Sequence, residues 1–327
     1  MTTTRAIIWA SCALLAAGCS IKRLAVNKMG DALASSGTTF ASDDDPDLIA
    51  DAVPFSLKLM ESLLAASPRH RGLLLATASG FTQYAYAFVQ QEADELETKD
   101  FAKATAGRAR AKRLYLRARD YGLRGLETRH KSFSAALRAH PREASRLATK
   151  DDVPLLYWTA AAWGAAVSLS KDDPNLVADQ PVFEALIDRA LELDETFDSG
   201  TIHAFLISYE PARQGGSGDP YERARQHFER AVALTNGQAA SPFVSYAEAV
   251  AVSKQDRQEF RSVLQRALAI DPDARPEWRL ANLIMQRRAR WLLAREDDLF
   301  IDTGKSGASR RPLTLPLGRY LGEAGAP

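Results

Sequence analysis

Apolar residues return every three to four positions along most of this chain. Leu57, Met60, Leu63 and Leu64 make one such stripe, and Phe183, Leu186, Ile187, Ala190 and Leu191 make another. This is the spacing of a helix with one face turned inward. Start signals precede the stripes: Asp152 with Pro154, Asp179 with Pro181, Asp219 with Pro220, and Pro276 ahead of EWRLANLIMQRRARWLL. An aspartate carboxylate accepts from the free amides of a first helical turn, and a proline in that turn sacrifices no bond. Alternation with a period of two, the mark of a half-buried strand, is absent. Asn236-Gly237 would mark a hairpin between strands; here it follows a helical run and reads as a helix C-terminal cap. The acidic run from Asp43 to Asp47 lacks the glycine and distal glutamate of a calcium loop, and reads as an exposed linker ending in a helix N-cap.

A shorter pattern recurs inside the helices. A small or aromatic residue is followed four positions later by a large apolar one and three later by a small one: Ala111-Tyr115-Ala118, Phe183-Ile187-Ala190, Ala224-Phe228-Ala231 and Phe260-Leu264-Ala267, with Ser56-Met60-Leu63 as the first member. The last two copies are 36 residues apart, near the tetratricopeptide period, whereas the earlier spacings of 55, 72 and 41 are looser. Generic amphipathic helix pairs are the alternative. The predicted fold is all-α: degenerate tetratricopeptide-like hairpins stacked into a compact solenoid or bundle, an architecture that leaves room for a central channel.

The N-terminus follows a different pattern. Residues 6 to 20, AIIWASCALLAAGCS, follow a single basic residue, Arg5, and their apolar run of twelve is shorter than the roughly 20 residues a membrane span needs. Ala-Ala-Gly-Cys reads as a lipoprotein cleavage box, with residues 1–18 a signal peptide and Cys19 the lipidated first residue. An ordinary signal peptide with a chance cysteine is the alternative. Ser20 after the cysteine leans toward the outer membrane over the inner. The remaining divisions are a lipidated N-terminus and linker at 19–46, a helical domain at 47–298 and an irregular tail at 299–327.

Charge and aromatic content refine this picture. The chain has 42 Lys and Arg against 41 Asp and Glu, and loss of residues 1–18 removes only Arg5, so the mature chain is neutral before histidine. That argues against a nucleic-acid partner. Cys12 leaves with the signal and Cys19 goes to lipid, so no thiol remains for a disulfide or a thiolate metal site. A basic stretch from Lys103 to Lys150 could face anionic lipid, an acidic protein, an anionic ligand or plain solvent. In GFTQYAYAFV, Phe81, Tyr84 and Phe88 share a helical face while Tyr86 points elsewhere. Tyr157, Trp158 and Trp163 form a second group in a helix rich in alanine and glycine. Core packing and the lining of a partly polar pocket are the two readings of each group.

Motifs that carry chemistry are missing. Asp302-Thr303-Gly304-Lys305-Ser306 ends like a phosphate loop, but Leu299 stands where its first glycine is required. There is no GxSxG elbow and no HExxH pair, and His70, His130, His140, His203 and His227 are scattered. No catalytic residue, metal site or cofactor is expected, and an enzyme is not the expected function.

Several long blocks carry a family resemblance: ASGFTQYAYAFVQQEAD (78–94), RLYLRARDYGLRGLE (113–127), LYWTAAAWGAAVSLSKDDP (156–174), HAFLISYE (203–210), HFERAVAL (227–234) and EWRLANLIMQRRARWLL (277–293). Together they resemble the T component of tetratricopeptide-associated tripartite ATP-independent periplasmic (TRAP) transporters, the TatT family, over about residues 50 to 300. The resemblance implies a periplasmic, lipid-anchored accessory protein that docks the solute-binding P component and forms a homotrimer. It also implies a channel in each protomer for a small apolar or anionic organic ligand. Phe81, Tyr84, Phe88, Tyr157, Trp158, Trp163, Trp278 and Asn282 match the family and are the candidates for the channel lining. The alternative function is a generic tetratricopeptide-like scaffold lipoprotein for envelope assembly or secretion.

Overall fold

The computed structural model describes residues 26–32 and 37–301. The expected signal peptide, the lipid site at Cys19 and the tail beyond Ile301, with its phosphate-loop-like run, lie outside the described residues.

Many helix starts fall where aspartates and prolines announce them, although the carboxylates of Asp152 and Asp179 cap no amide of the helices they precede and bind Arg71 and His130, and Trp163, instead. Asp45 accepts from the amides of Asp47 and Leu48, opening α1 (Pro46–Ala66). His70 accepts from the Leu73 amide at the start of α2 (Arg71–Tyr84), which passes through a π-helical turn (Ala85–Gln90) into α3 (Gln91–Leu96). Asp100 caps α4 (Phe101–Glu127), and α5 (Val153–Ser168) and α6 (Gln180–Leu193) carry proline in their first turns. After α7 (Thr201–Tyr209), Asp219 caps α8 (Pro220–Leu234). That helix ends with Asn236 and Gly237 at φ 49° and 69°, their amides donating to the carbonyls of Ala233 and Val232, the left-handed close expected of this dipeptide. A second π turn (Ala247–Ala251) follows α9 (Ser241–Tyr246); α10 (Arg257–Leu268) and α11 (Arg279–Ala294) complete the long helices. Pro276 opens a single 3-10 turn, Pro276–Trp278, and α11 proper begins at Arg279.

The fold is all-α, with no strand among the described residues. Neighbours in sequence pack as neighbours in space: α1 on α2, α2 on α4, α4 on α5, α5 on α6, α7 on α8, α9 on α10 and α10 on α11. The recurring small-large-small positions are the buried seams of these pairs. Tyr115, Ile187, Phe228 and Leu264, with their flanking residues, are 9% exposed or less. In the first member, Ser56 and Met60 are only half-buried, as befits a terminal pair with one open side. α5 is buried nearly all round, packing against α4, α6 and α2. Gly122 and Gly125 of α4 make its close approach possible: a Cβ at Gly122 would lie 2.1 Å from Thr159 Oγ1, and one at Gly125 2.5 Å from Leu155 Cδ2.

Apolar burial divides into two large clusters, one from Leu123 to Tyr209 and one from Ile207 to Phe300, with smaller ones among α1, α2, α4 and α5. The order of contacts then closes on itself. α11, the last long helix, touches α1 and the short helix Gly37–Ala41, and Arg279 Nη1 donates to the Ser42 carbonyl at 2.9 Å.

A polar junction where the last helix meets the first

The seam between α11 and the α2–α3 segment is built from charge. α11 turns Asn282, Met285, Gln286, Arg288, Ala289 and Leu292 inward; three of these are apolar, two are amides, and the sixth is a guanidinium only 5% exposed. A buried cation persists only when paired and hydrogen-bonded. Arg288 donates from Nε at 3.1 Å and Nη2 at 2.7 Å to Glu248 Oε1, and its Nη2 lies 3.2 Å from Asp94 Oδ2. Asp94, 4% exposed, is shared with Arg108, whose Nε and Nη2 reach Oδ1 at 3.2 and 3.1 Å while Nη1 reaches Glu97 at 3.2 Å. On the outer flank Arg287 donates to Glu95 at 2.9 Å. Burial pulls the Arg288 pKa down, but the Glu248 and Asp94 carboxylates outweigh it and the net shift is upward. The group stays charged.

Both π turns feed this junction. The first carries Tyr86 and the second Glu248, and a π turn re-aims the residues around it relative to a regular helix. Tyr86 is 37% exposed, yet its hydroxyl is pushed well above its ordinary range, by desolvation first and the Glu248 carboxylate second. Its Oη lies 3.9 Å from Met285 Sδ and also engages the Gln91 side chain. Tyr86 thus presents a partly open ring while its hydroxyl lies among the charged groups of the junction. Beside it, Tyr115 Oη donates to Gln90 Oε1 at 2.7 Å.

The eight aromatic and polar candidates from the sequence occupy three places. Phe81 and Tyr84 belong to one cluster on α2: Phe81 stacks on Tyr121 at 6.1 Å under the Arg117 guanidinium, and Tyr84 meets Phe88 at 5.8 Å and accepts from Arg110 Nη2 at 3.3 Å. Tyr157, Trp158 and Trp163 sit in the central cluster. Tyr157 accepts from Thr201 Oγ1 at 3.0 Å and meets Trp158 edge-on at 4.9 Å; Trp163, with no exposed surface, donates to Asp179 at 3.1 Å. Trp278 and Asn282 lie at the start of α11. Trp278 is covered by Arg275, and Asn282 ties down the α8–α9 turn by accepting from the Ala240 amide and donating to the Gln238 carbonyl. Of the eight, Tyr84, Phe88, Trp158 and Trp278 keep part of their surface open.

Sequence reasoning passed over Asp94, Glu248 and Arg288. One signal was available: a charged residue, Arg288, in the buried register of α11 beside Met285, Ala289 and Leu292. His203, one of the five histidines scattered in the sequence, pairs with His227 at 2.8 Å between Nδ1 atoms. Burial lowers the pKa of both, His227 to about 4. A cleft of about 360 Å³ between the Pro141–Ser145 turn and α6 is lined by His140, Arg142, Glu184 and Asp188. Its carboxylates are already engaged by Arg213 and Tyr209. No group of three or more candidate metal ligands occurs among the described residues.

Comparison with known proteins agrees with this geometry in extent. A protein of Treponema pallidum (strain Nichols), described as an uncharacterized protein, is 33% identical over 314 residues, spanning 90% of this chain and 96% of that one. The family model for the TRAP transporter T-component matches residues 42–300, from the linker ahead of α1 to the residue that closes the second large core cluster. The chain belongs to the TRAP transporter T-component family.

Proposed function

We propose that this protein is a periplasmic accessory of a TRAP transporter, tethered by lipid at Cys19 after removal of residues 1–18. On this reading its helical body docks the solute-binding P component, assembles as a homotrimer, and binds or passes a small apolar or anionic organic ligand. The observation that carries the proposal is the family match across the whole helical body. No described helix is long and apolar enough to cross a membrane, so the proposal assigns attachment to Cys19. The ligand part draws support from the partly open rings of Tyr84, Tyr86, Phe88 and Trp158.

Native mass spectrometry tests the proposal, with the protein measured alone and with the P component encoded beside it. The expected spectrum shows a trimer, a complex with the P component and a co-purifying organic ligand. Failure to capture the P component even after crosslinking would remove the docking role. Tyr84→Ala is expected to weaken retention of the co-purified ligand. Trp163→Ala, at a site with no exposed surface, is expected to lower stability by about 3–5 kcal/mol. Unchanged ligand retention in the folded Tyr84 variant would return that ring to core packing.

A further inference from the structure

We propose that one end of the helical body, formed by the α1–α2 turn and the α4–α5 connection, is a face that lies against an anionic phospholipid bilayer. The two segments make one continuous surface: Arg69 Nη2 donates to the Thr128 carbonyl at 3.2 Å, Arg124 Nη2 to the Pro68 carbonyl at 3.2 Å, and Arg71 Nη2 to the Asp151 carbonyl at 2.8 Å. Arg69, Arg124, Arg129, Lys131, Arg146 and Lys150 are all exposed there. The exposed acids in or beside these segments are Asp31, Glu143 and Asp151, with Asp194 half-buried beside Lys150. Arg129 pairs with Asp151 at 3.1 Å and Lys150 with Asp194 at 3.2 Å. Such surface pairs contribute about 0–1 kcal/mol and exchange readily for phosphate. Lys131 and Arg146 make no ion pair among the described residues. Beside Arg146, Leu147 projects with 59% of its surface exposed, an apolar side chain framed by cations.

Two further observations select lipid as the occupant. The first is where the chain enters. The 26–32 segment is packed on this same end: Ser67 Oγ donates to Asn27 Oδ1 at 2.8 Å, the His70 ring bonds the Asn27 carbonyl at 3.2 Å, and Val26 packs on the cluster of Leu63, Leu64, Leu73 and Leu74. Cys19 is seven residues upstream of Val26, a reach of at most ~25 Å. The second is the opposite end, where α1 begins and α5 finishes, which exposes Asp44, Asp45, Asp47 and Asp172 against Lys171, with Lys112 paired to Asp173. An anionic surface therefore favours the first end over the second. Each basic side chain near such a surface contributes about 1 kcal/mol within a Debye length of about 8 Å. A tether that holds the body at the bilayer makes even that modest attraction effective. The anchor sets the distance and this face sets the orientation. The entry argument rests on the lipid anchor proposed above, whereas the charge argument stands without it.

The test places an environment-sensitive nitrobenzoxadiazole label on Leu147→Cys in the mature full-length protein, mixed with vesicles of phosphatidylcholine alone or of equal parts phosphatidylcholine and phosphatidylglycerol. Flotation and label emission are read together, against the identically treated parent protein. The expected result is flotation with both vesicles and a blue shift only with phosphatidylglycerol, lost in high salt. Replacing Arg129, Lys131 and Arg146 by Gln should lower the shifted population roughly a hundredfold, taking about 1 kcal/mol for each side chain. Flotation with both but no shift would leave the anchor standing and overturn the face, as expected if an acidic protein were the true occupant. Flotation only with phosphatidylglycerol, with the shift, would support the face and remove the anchor. No flotation with either would overturn both. A label on Leu48→Cys, at the acidic end and 56% exposed, should stay water-like, and a shift there instead of at Leu147 reverses the proposed orientation.

Discussion

At Gly122 there is no room for a methyl group. Alanine is ordinarily the better helix former by about 1 kcal/mol, yet the added Cβ would fall 2.1 Å from Thr159 Oγ1 and 3.0 Å from its Cβ. Overpacking of that kind costs about 1–3 kcal/mol, so Gly122→Ala is expected to lower the melting temperature, and Thr159→Ala in the same chain is expected to recover part of the loss. A Gly122→Ala variant melting above the parent would show that α4 and α5 are further apart than these distances. The His203–His227 pair makes a prediction of the opposite kind, in which conditions rather than bulk upset the packing. Folding lowers the His227 pKa from 6.5 to about 4, so between those values the unfolded chain binds more protons than the folded one. Stability at this site is therefore complete above about pH 6.5 and is lost as pH falls toward 4. Denaturant melts across that interval should show a shallower decline in His227→Asn than in the parent; parallel declines would place the acid sensitivity elsewhere.

Between elements, α11 is held to α3 and to the second π turn chiefly through Arg288. Removing one partner of a buried ion pair costs about 3–5 kcal/mol, because the other charge is stranded, whereas replacing the whole pair with apolar residues can be nearly neutral. Arg288→Met should therefore be strongly destabilising, and Arg288→Met with Glu248→Leu much less so, since Asp94 retains Arg108. Additive losses in the double-mutant cycle would mean that the two side chains do not interact. This junction also separates what could be read from the chain from what could not. The helix starts at the end of the run from Asp43 to Asp47 and at Asp219, and the close at Asn236-Gly237, are set by residues a few positions apart, so local spacing revealed them. The buried seams at Tyr115, Ile187, Phe228 and Leu264 were legible for the same reason. Arg288, Glu248 and Asp94 are brought together from segments distant in sequence, and no local periodicity reports such a meeting. The π turns added a second obstacle. A face drawn through Phe81, Tyr84 and Phe88 at regular helical spacing crosses the turn beginning at Ala85, and the residue left outside that face, Tyr86, is the one at the junction.

For the molecule as a whole, the return of α11 to the first helices changes what kind of stack this is. In an open helical array each repeat is stabilised only by its neighbours, and the ends fray first. Here the final long helix is tied to the opening segments by Arg279 to Ser42, Arg287 to Glu95 and Arg288 to Asp94, so both termini of the helical body share one interface. The two large apolar clusters, Leu123 to Tyr209 and Ile207 to Phe300, are thus linked through sequence at α7 and through space at α11. Native-state hydrogen exchange should then find residues 279–294 protected to nearly the same free energy as 91–96, although one segment is near the end of the helical body and the other near its start. In Arg288→Met the buried member of that spatial link is lost, leaving Arg279–Ser42 and Arg287–Glu95, while the link through α7 is untouched. The block from α8 to α11 should open at a lower free energy than α4 to α6, giving two exchange classes where the parent has one. Independent exchange of 279–294 and 91–96 in the parent protein would show that the closing contacts contribute little, and that the body behaves as an open stack.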